Sequence, residues 1–419
     1  VLKTDRFKIL APKNLIQFFT VIVIVLSSFL LISSCKNLLC TEENELFPDP
    51  NFEKAIRLAL DQPEGEILKD DLKSLFRLRI SFPEDTIRDI TGIEYCKNLE
   101  FIDLSGSRIK DFRPLTKLYF LEELYLRYSN ISILEQISNC KNLKTLFLHS
   151  NNISDISPIS KLKRIETLYF DFNNIDNINP LKNLIHLRHL NLPFNNLSNI
   201  SSLSSLTNLK SLDIHTNNIS DISPISQMPE LVLLYAGYNQ INDISSLSLL
   251  QDIEYLHLSN NQINDVSYLS GMKYLKEVSL NNNPISDISP ITSSIYISQL
   301  RLNNIANLDL NVISELTNIV GLGIDSCNIS NIEPLSKMVL LTQLMASGNN
   351  INNISILKDF KYLHHLALNN NNISDLQPLV NNEDFKDHGE LHLMNNPLSQ
   401  QSIDEYIPII EARGIQVYF

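Results

Sequence analysis

Histidine is the side chain here best suited to hold a metal or move a proton near neutral pH. Six of the nine histidines, His149, His189, His215, His257, His365 and His392, fall within short stretches where apolar and polar residues alternate. A zinc centre needs three or four donors converging on one point, usually imidazoles with a thiolate or carboxylate. These six sit at differing places in successive stretches, and no carboxylate joins them at ligand spacing. They are therefore expected as polar contact residues, with no metal and no cofactor. The P-loop, GxSxG, HExxH and CxxC patterns are all missing from the sequence, as is any paired acid and base or activated nucleophile. No enzymatic activity is expected.

The elements that would position such residues follow from a repeat. With Leu143 as position 0, Leu146, Leu148, Asn151, Ile153, Ile156, Ile159 and Leu162 occupy positions 3, 5, 8, 10, 13, 16 and 19. Unit starts recur every 22 residues at Arg77, Leu99, Leu121, Leu143, Ile165, Leu187, Leu209, Leu231, Ile253, Leu275, Ile297, Ile319, Leu341 and Leu363. A last partial unit, with Leu391, Leu393, Asn396 and Leu398, follows a three-residue slip. The alternation at positions 2 to 5 predicts a short strand. Asparagine at position 8 predicts a buried side chain bonded to backbone where the chain turns, with Ser107, Ser129 and Cys327 in its place in weaker units. The unit starting at Ile297 has Ile305 at position 8 and Asn307 at position 10, so a local distortion is expected there.

The LxxLxLxxNxI pattern resembles the leucine-rich repeat. Units of 22 residues with a D-I-x-P-[LI] outer arc, as in Asp155-Ile156-Ser157-Pro158-Ile159, are similar to those of bacterial internalin-type proteins. The resemblance covers roughly residues 47–419. It implies a leucine-rich repeat solenoid, with a curved parallel β-sheet on the concave face and turns or 3-10 segments on the convex face. It further implies a concave face that binds a protein ligand, in many relatives a host surface protein.

The organisation is then a signal peptide at 1–34, a tether at 35–48, a helical N-terminal cap at 49–76, repeats at 77–398 and a C-terminal cap at 399–419. Asp49-Pro50 starts the cap helix, with a second short helix near residues 69–75. Residues 414–419 read as a closing strand, and the fold is expected to end with the chain. Cys96 and Cys140 both occupy position 19 and are expected as small buried side chains. Two stacked units hold them about 10 Å apart, too far for a disulfide. Cys40, in the tether, is expected as a free thiol.

Lys3, Arg6, Lys8 and Lys13 precede an apolar run at 15–32, which ends in Ile32-Ser33-Ser34-Cys35. That is the layout of a secretory signal, and its ending resembles a bacterial lipobox with Cys35 as the lipidated residue. An uncleaved membrane anchor is the alternative. The chain carries 34 Lys and Arg against 47 Asp and Glu, a net charge of -13. No nucleic-acid partner is expected from that balance.

On the inner face, position 4 supplies Tyr125, Phe147, Tyr169 and Tyr235, and position 7 supplies Tyr128, Phe172, Phe194 and Tyr238. Tyr255 adds a ring at position 2. At about 4.8 Å per strand this field is on the order of 30 Å long. Beyond it the matching positions turn small or polar, as in Ser279, Asn281, Gly321, Gly323, Ser347, Gly348 and Ala367. Exposed rings confined to one half of an array suggest a protein-binding surface. Arg127, Asp103, Asp171 and Asp213, with His149, His189, His215 and His257, add polar selectivity. The expected function is that of an exported, lipid-anchored bacterial envelope or surface protein that binds a protein. Sugar binding by the same rings, or regulation of an intracellular enzyme, are the alternatives.

Overall fold

The structure, a computed structural model, describes residues 46–80 and 86–419. The signal at 1–34, Cys35, Cys40 and most of the tether lie outside the described residues. Among the described residues, sixteen three-residue strands form one parallel sheet in strict chain order, β1 (Arg77–Arg79) through β16 (Gln416–Tyr418). From β2 (Phe101–Asp103) to β14 (His365–Ala367) each strand pairs with the residue 22 positions on, as in Tyr125 opposite Phe147 and Phe147 opposite Tyr169.

The register at the start differs from the sequence reading. Arg77 pairs with Phe101, a step of 24, so the true first position is Leu75, and Leu75, Leu78 and Ile80 are the buried set. Arg77 and Arg79 therefore face outward on the first strand, where their charge discourages edge-to-edge pairing.

Each unit buries the side chains its period predicts. Leu143, Leu146, Leu148, Ile153, Ile156, Ile159 and Leu162 are all at most 1% exposed. Position 8 supplies the spine: Asn151 Oδ1 accepts from Ile131 N at 2.9 Å, and its Nδ2 donates to Leu126 O and Leu148 O, both at 2.8 Å. Asn173 repeats this one unit on. Ser129 and Cys327 fill the place in part, each donating to a carbonyl one unit back. Ser107 Oγ is buried without a hydrogen-bond partner. The Ile297 unit keeps its strand pairing, and its distortion lies just after. Ile305 is buried and carries no polar group for the spine; Asn307 takes a left-handed conformation that other units lack at position 10.

The convex side consists of 3-10 turns such as Ser157–Lys161. Most are opened by an Asp or Asn that accepts from the backbone two residues on, as Asp155 does from Ser157 N at 2.8 Å; Ile137–Asn139 is not. One such segment becomes a short helix, Gln377–Asn381.

At the N-terminus, helix α1 (Pro50–Leu60) buries Phe52, Ala55 and Ile56 on the first layer. Asp49 caps it through Oδ1, while its Oδ2 accepts from Arg88 N at 2.7 Å and ties the cap to the first repeat. The second short helix is a 3-10 turn, Asp71–Ser74. At the C-terminus, a π-helical turn (Ser402–Tyr406) runs into a helix (Ile407–Glu411), which precedes β16. Arg413 there donates to Asn382 O and Val380 O.

Candidate protein-binding site

The strands hold position 4 in a row, so rings on neighbouring strands meet face to face. Tyr125 stacks on Phe147 at 4.3 Å, and Phe147 on Tyr169 at 4.3 Å. Phe101, which the sequence reading missed, extends the stack by packing at 5.1 Å against Tyr125. Arg77 lies 4.1 Å over the Phe101 ring and Arg127 5.6 Å over the Tyr125 ring, so cations close this end. The available signal was that Phe101 shares position 2 with Tyr255, with two arginines nearby. A second stack, Tyr235 on His257 at 4.2 Å, lies three strands beyond Tyr169. Much of the position 4 aromatic surface is thus used in stacking and presents edges to solvent.

Position 7 behaves differently. In every unit where it is described, this residue is left-handed, with Tyr128 at φ 54°, Phe172 at 54°, Phe194 at 53° and Tyr238 at 55°. The conformation is costly for residues with a bulky side chain and natural for Gly and Asn. These four rings are nevertheless exposed: Tyr128 67%, Phe172 51%, Phe194 39% and Tyr238 60%. Phe172 stacks on Phe194 at 4.1 Å, and Phe194 meets His215 edge-on. Tyr128 meets His149 edge-on.

Between the two lines of rings lie polar groups. Arg127 pairs with Asp103 at 3.2 Å, and His215 Nδ1 is 2.7 Å from Asp213 Oδ1. His149 lies 3.9 Å from Asp171, too far for a hydrogen bond, and Asp171 Oδ1 is buried without a partner. Burial raises the Asp171 carboxyl above the usual carboxylate range. Burial likewise lowers the His149 and His257 imidazoles below theirs. His257 Nε2 lies 3.1 Å from Glu277 but, like Asp171 Oδ1, is buried without a hydrogen-bond partner; the Glu277 carboxylate binds Arg301 at 2.7 Å. His189 and Tyr255 face outward on their strands and take no part in the ring stacks. A hollow of about 250 Å³ opens beside the second stack, lined by His215, Tyr235, Gly237, Tyr238, His257 and Ser259. Gly237 and Ser259 make room for it, and their small side chains gave the aromatic count nothing to register.

Toward the C-terminus the same positions close on themselves. Asn281 Oδ1 accepts from Asn303 N, Asn303 Oδ1 from Asp325 N, and Asp325 Oδ1 from Ser347 N, at 2.7–2.9 Å. Gln299 covers Gly321, and Asn303 covers Gly323. Left-handed position 7 is held there by Asn282, Asn304, Ser326, Gly348 and Asn370.

Cys96, Cys140 and Cys327 are buried free thiols, as expected for the first two; burial pushes Cys96 and Cys140 up to about 12. The expectation that no carboxylate joins the histidines at ligand spacing fails at His215, beside Asp213, and at His257, beside Glu277; it fails most fully where two histidines meet one carboxylate. Pairing of β14 with β15 (Glu390–His392) sets Glu390 beside His365 and His392. The sequence already carried this neighbourhood: with the three-residue slip before β15 counted, Glu390 falls at position 2, opposite His365, and the strand step there is 25 residues.

A sheet built one strand per unit, an asparagine spine and a row of convex turns define a leucine-rich repeat protein. The family model "Leucine Rich repeats (2 copies)" matches residues 120–158, 141–183, 185–227 and 251–293. The chain is similar to an internalin (inlF) of Listeria monocytogenes, with 28% identity over 82% of this chain and 95% of that one, at a TM-score of 0.66. A leucine-rich repeat protein of Leptospira interrogans shares its fold at 21% identity, covering 84% of this chain and 97% of that one, with a TM-score of 0.69. The functional domain of InlJ from Listeria monocytogenes does so at 20% identity, covering 84% and 81%, with a TM-score of 0.63. No curated protein matches in sequence. The chain is a leucine-rich repeat protein of the bacterial internalin type.

Proposed function

We propose that the N-terminal half of the concave face, from Phe101 to His257, binds a protein ligand, and that the chain is a non-enzymatic, exported bacterial surface lipoprotein. The observation that carries this reading is the set Tyr128, Phe172, Phe194 and Tyr238. Four large rings occupy a backbone conformation that disfavours them, and they remain exposed. Strain of about 1–3 kcal/mol per residue persists where function requires it. Rigid rings with few rotatable bonds are effective anchors in protein interfaces. The polar strip between them, with Arg127, Asp171, His149 and His215, supplies selectivity.

Anchoring rests on the Ile32-Ser33-Ser34-Cys35 sequence. Among the described residues no helix is long and apolar enough to cross a membrane. If Cys35→Ala leaves membrane partitioning unchanged after signal removal, lipidation is wrong. Sugar binding is the second reading, favoured by the hollow beside Tyr235 and Tyr238. It is weakened where position 4 rings stack, since sugars dock on ring faces.

The test is capture from host-cell surface extract and from bacterial envelope extract by residues 41–419. A variant with Tyr128, Phe172, Phe194 and Tyr238 all replaced by Asn runs alongside. A protein retained only by the unmodified chain supports the reading and locates the partner. Identical capture by both contradicts it.

A further inference from the structure

The cluster His365, Glu390 and His392 lies on the concave face at the opposite end from the aromatic field. We propose that it binds one zinc-class divalent metal ion, which clips the last repeat strand to the array.

His365 and Glu390 are lateral partners on β14 and β15, and His392 follows Glu390 by two residues on the same face. Glu390 Oε2 lies 3.0 Å from His365 Nδ1 and 3.5 Å from His392 Nε2. One ligand atom from each of the three residues falls within 4.8 Å of the others. A tetrahedral zinc ion at 2.0–2.2 Å from N and O donors sets those donors about 3.3–3.5 Å apart. The two observed separations bracket that spacing, so small side-chain adjustments suffice. Two imidazoles and one carboxylate form a donor set suited to Zn²⁺ and to other late first-row ions; Mg²⁺ and Ca²⁺ prefer all-oxygen sites.

The surroundings hold the donors in place. The Tyr418 ring from β16 stacks on His392 at 4.6 Å and 10°, fixing the orientation of that imidazole. Ala367, directly opposite His392 on β14, keeps the approach open. The donors are between a quarter and a half exposed, so the remaining coordination position faces solvent. Among the described residues this is the cluster where three such groups converge. Elsewhere on the face His149 and His215 each pair with one carboxylate. The strand step across this pair is 25 residues, against 22 within the array, so an ion here would bridge the place where the repeat period slips.

The test is calorimetric titration of ZnCl₂ into the full chain, purified in detergent without a histidine tag and stripped with EDTA. Thermal unfolding is followed in parallel. The expected result is one Zn²⁺ per chain in the micromolar range, with a raised unfolding temperature. His365→Ala and His392→Ala should each weaken binding ~10-fold or more, while His149→Ala leaves it unchanged. All three side chains are partly exposed, so loss of fold is not expected, and circular dichroism checks it. No zinc binding by the parent chain overturns the proposal, as does equal binding by the His365→Ala, His392→Ala double variant.

Discussion

In the units starting at Leu121, Ile165, Leu187 and Leu231, the left-handed residue after the strand is Tyr128, Phe172, Phe194 or Tyr238. In those starting at Leu275, Ile297, Ile319, Leu341 and Leu363 it is Asn282, Asn304, Ser326, Gly348 or Asn370. The backbone conformation is the same in both regions, and an asparagine spine runs through both, replaced at Ser129 in the first and at Ile305 and Cys327 in the second. What differs is where the face directs its bonding capacity. The C-terminal region spends its polar side chains on neighbouring units, Asn281 to Asn303 to Asp325 to Ser347. The N-terminal region keeps strained rings exposed and leaves a carboxylate oxygen of Asp171 unpartnered. A face that satisfies itself has little to offer a ligand, whereas one left strained and partly unsatisfied has more.

The largest expected effect tests what the two regions share. Asn173→Ala and Asn283→Ala each remove one spine side chain that bonds four backbone groups. Each should cost about 2–4 kcal/mol in chemical denaturation, because the buried partners are left unsatisfied. Markedly unequal costs would break the claim of a common spine.

A smaller effect sharpens the difference. Tyr238→Asn relieves a left-handed ring and should stabilise the protein by about 1 kcal/mol. The converse change, Asn282→Tyr, introduces that strain and removes hydrogen bonds to Asn260 and Asn304. It should destabilise by about 1–3 kcal/mol. If both substitutions destabilise equally, the rings belong to the fold and the argument from strain fails.

The smallest effect concerns the cap, which belongs to neither region. Burial raises the Asp49 carboxyl, but four backbone N–H donors outweigh it and bring its pKa below the ordinary value. Its contribution is therefore present above the unfolded-state pKa and lost as pH falls through the lowered folded one. Asp49→Ala should cost about 0.5–2 kcal/mol at neutral pH. The difference from the parent should vanish in acid, below the usual carboxylate range. A difference independent of pH would contradict the assignment.

The repeat was legible because apolar burial imposes its period directly on residue type, so the buried positions from Leu99 to Leu363 could be read without coordinates. Slips were harder. The two extra residues in the first unit placed Arg77 at a buried position that Leu75 fills. The slip before β15 was visible and set Glu390 opposite His365, but only the side-chain geometry brings Glu390, His365 and His392 together. Left-handed position 7 leaves no apolar period at all. Its trace was the run of Asn, Ser and Gly in the C-terminal units, which reads as a backbone requirement only once the rings at the same position are seen to violate it. Ring stacking was likewise hidden, since position numbers do not say whether neighbours present faces or edges.

The most direct test of the central claim replaces Tyr128, Phe172, Phe194 and Tyr238 together with Asn. Affinity for the captured ligand and thermal unfolding are then measured on the same preparation. Binding should fall by about 100-fold or more, as for loss of several interface anchors, with an unfolding temperature equal to or above that of the parent. Retained binding, or binding lost together with stability, would contradict the account.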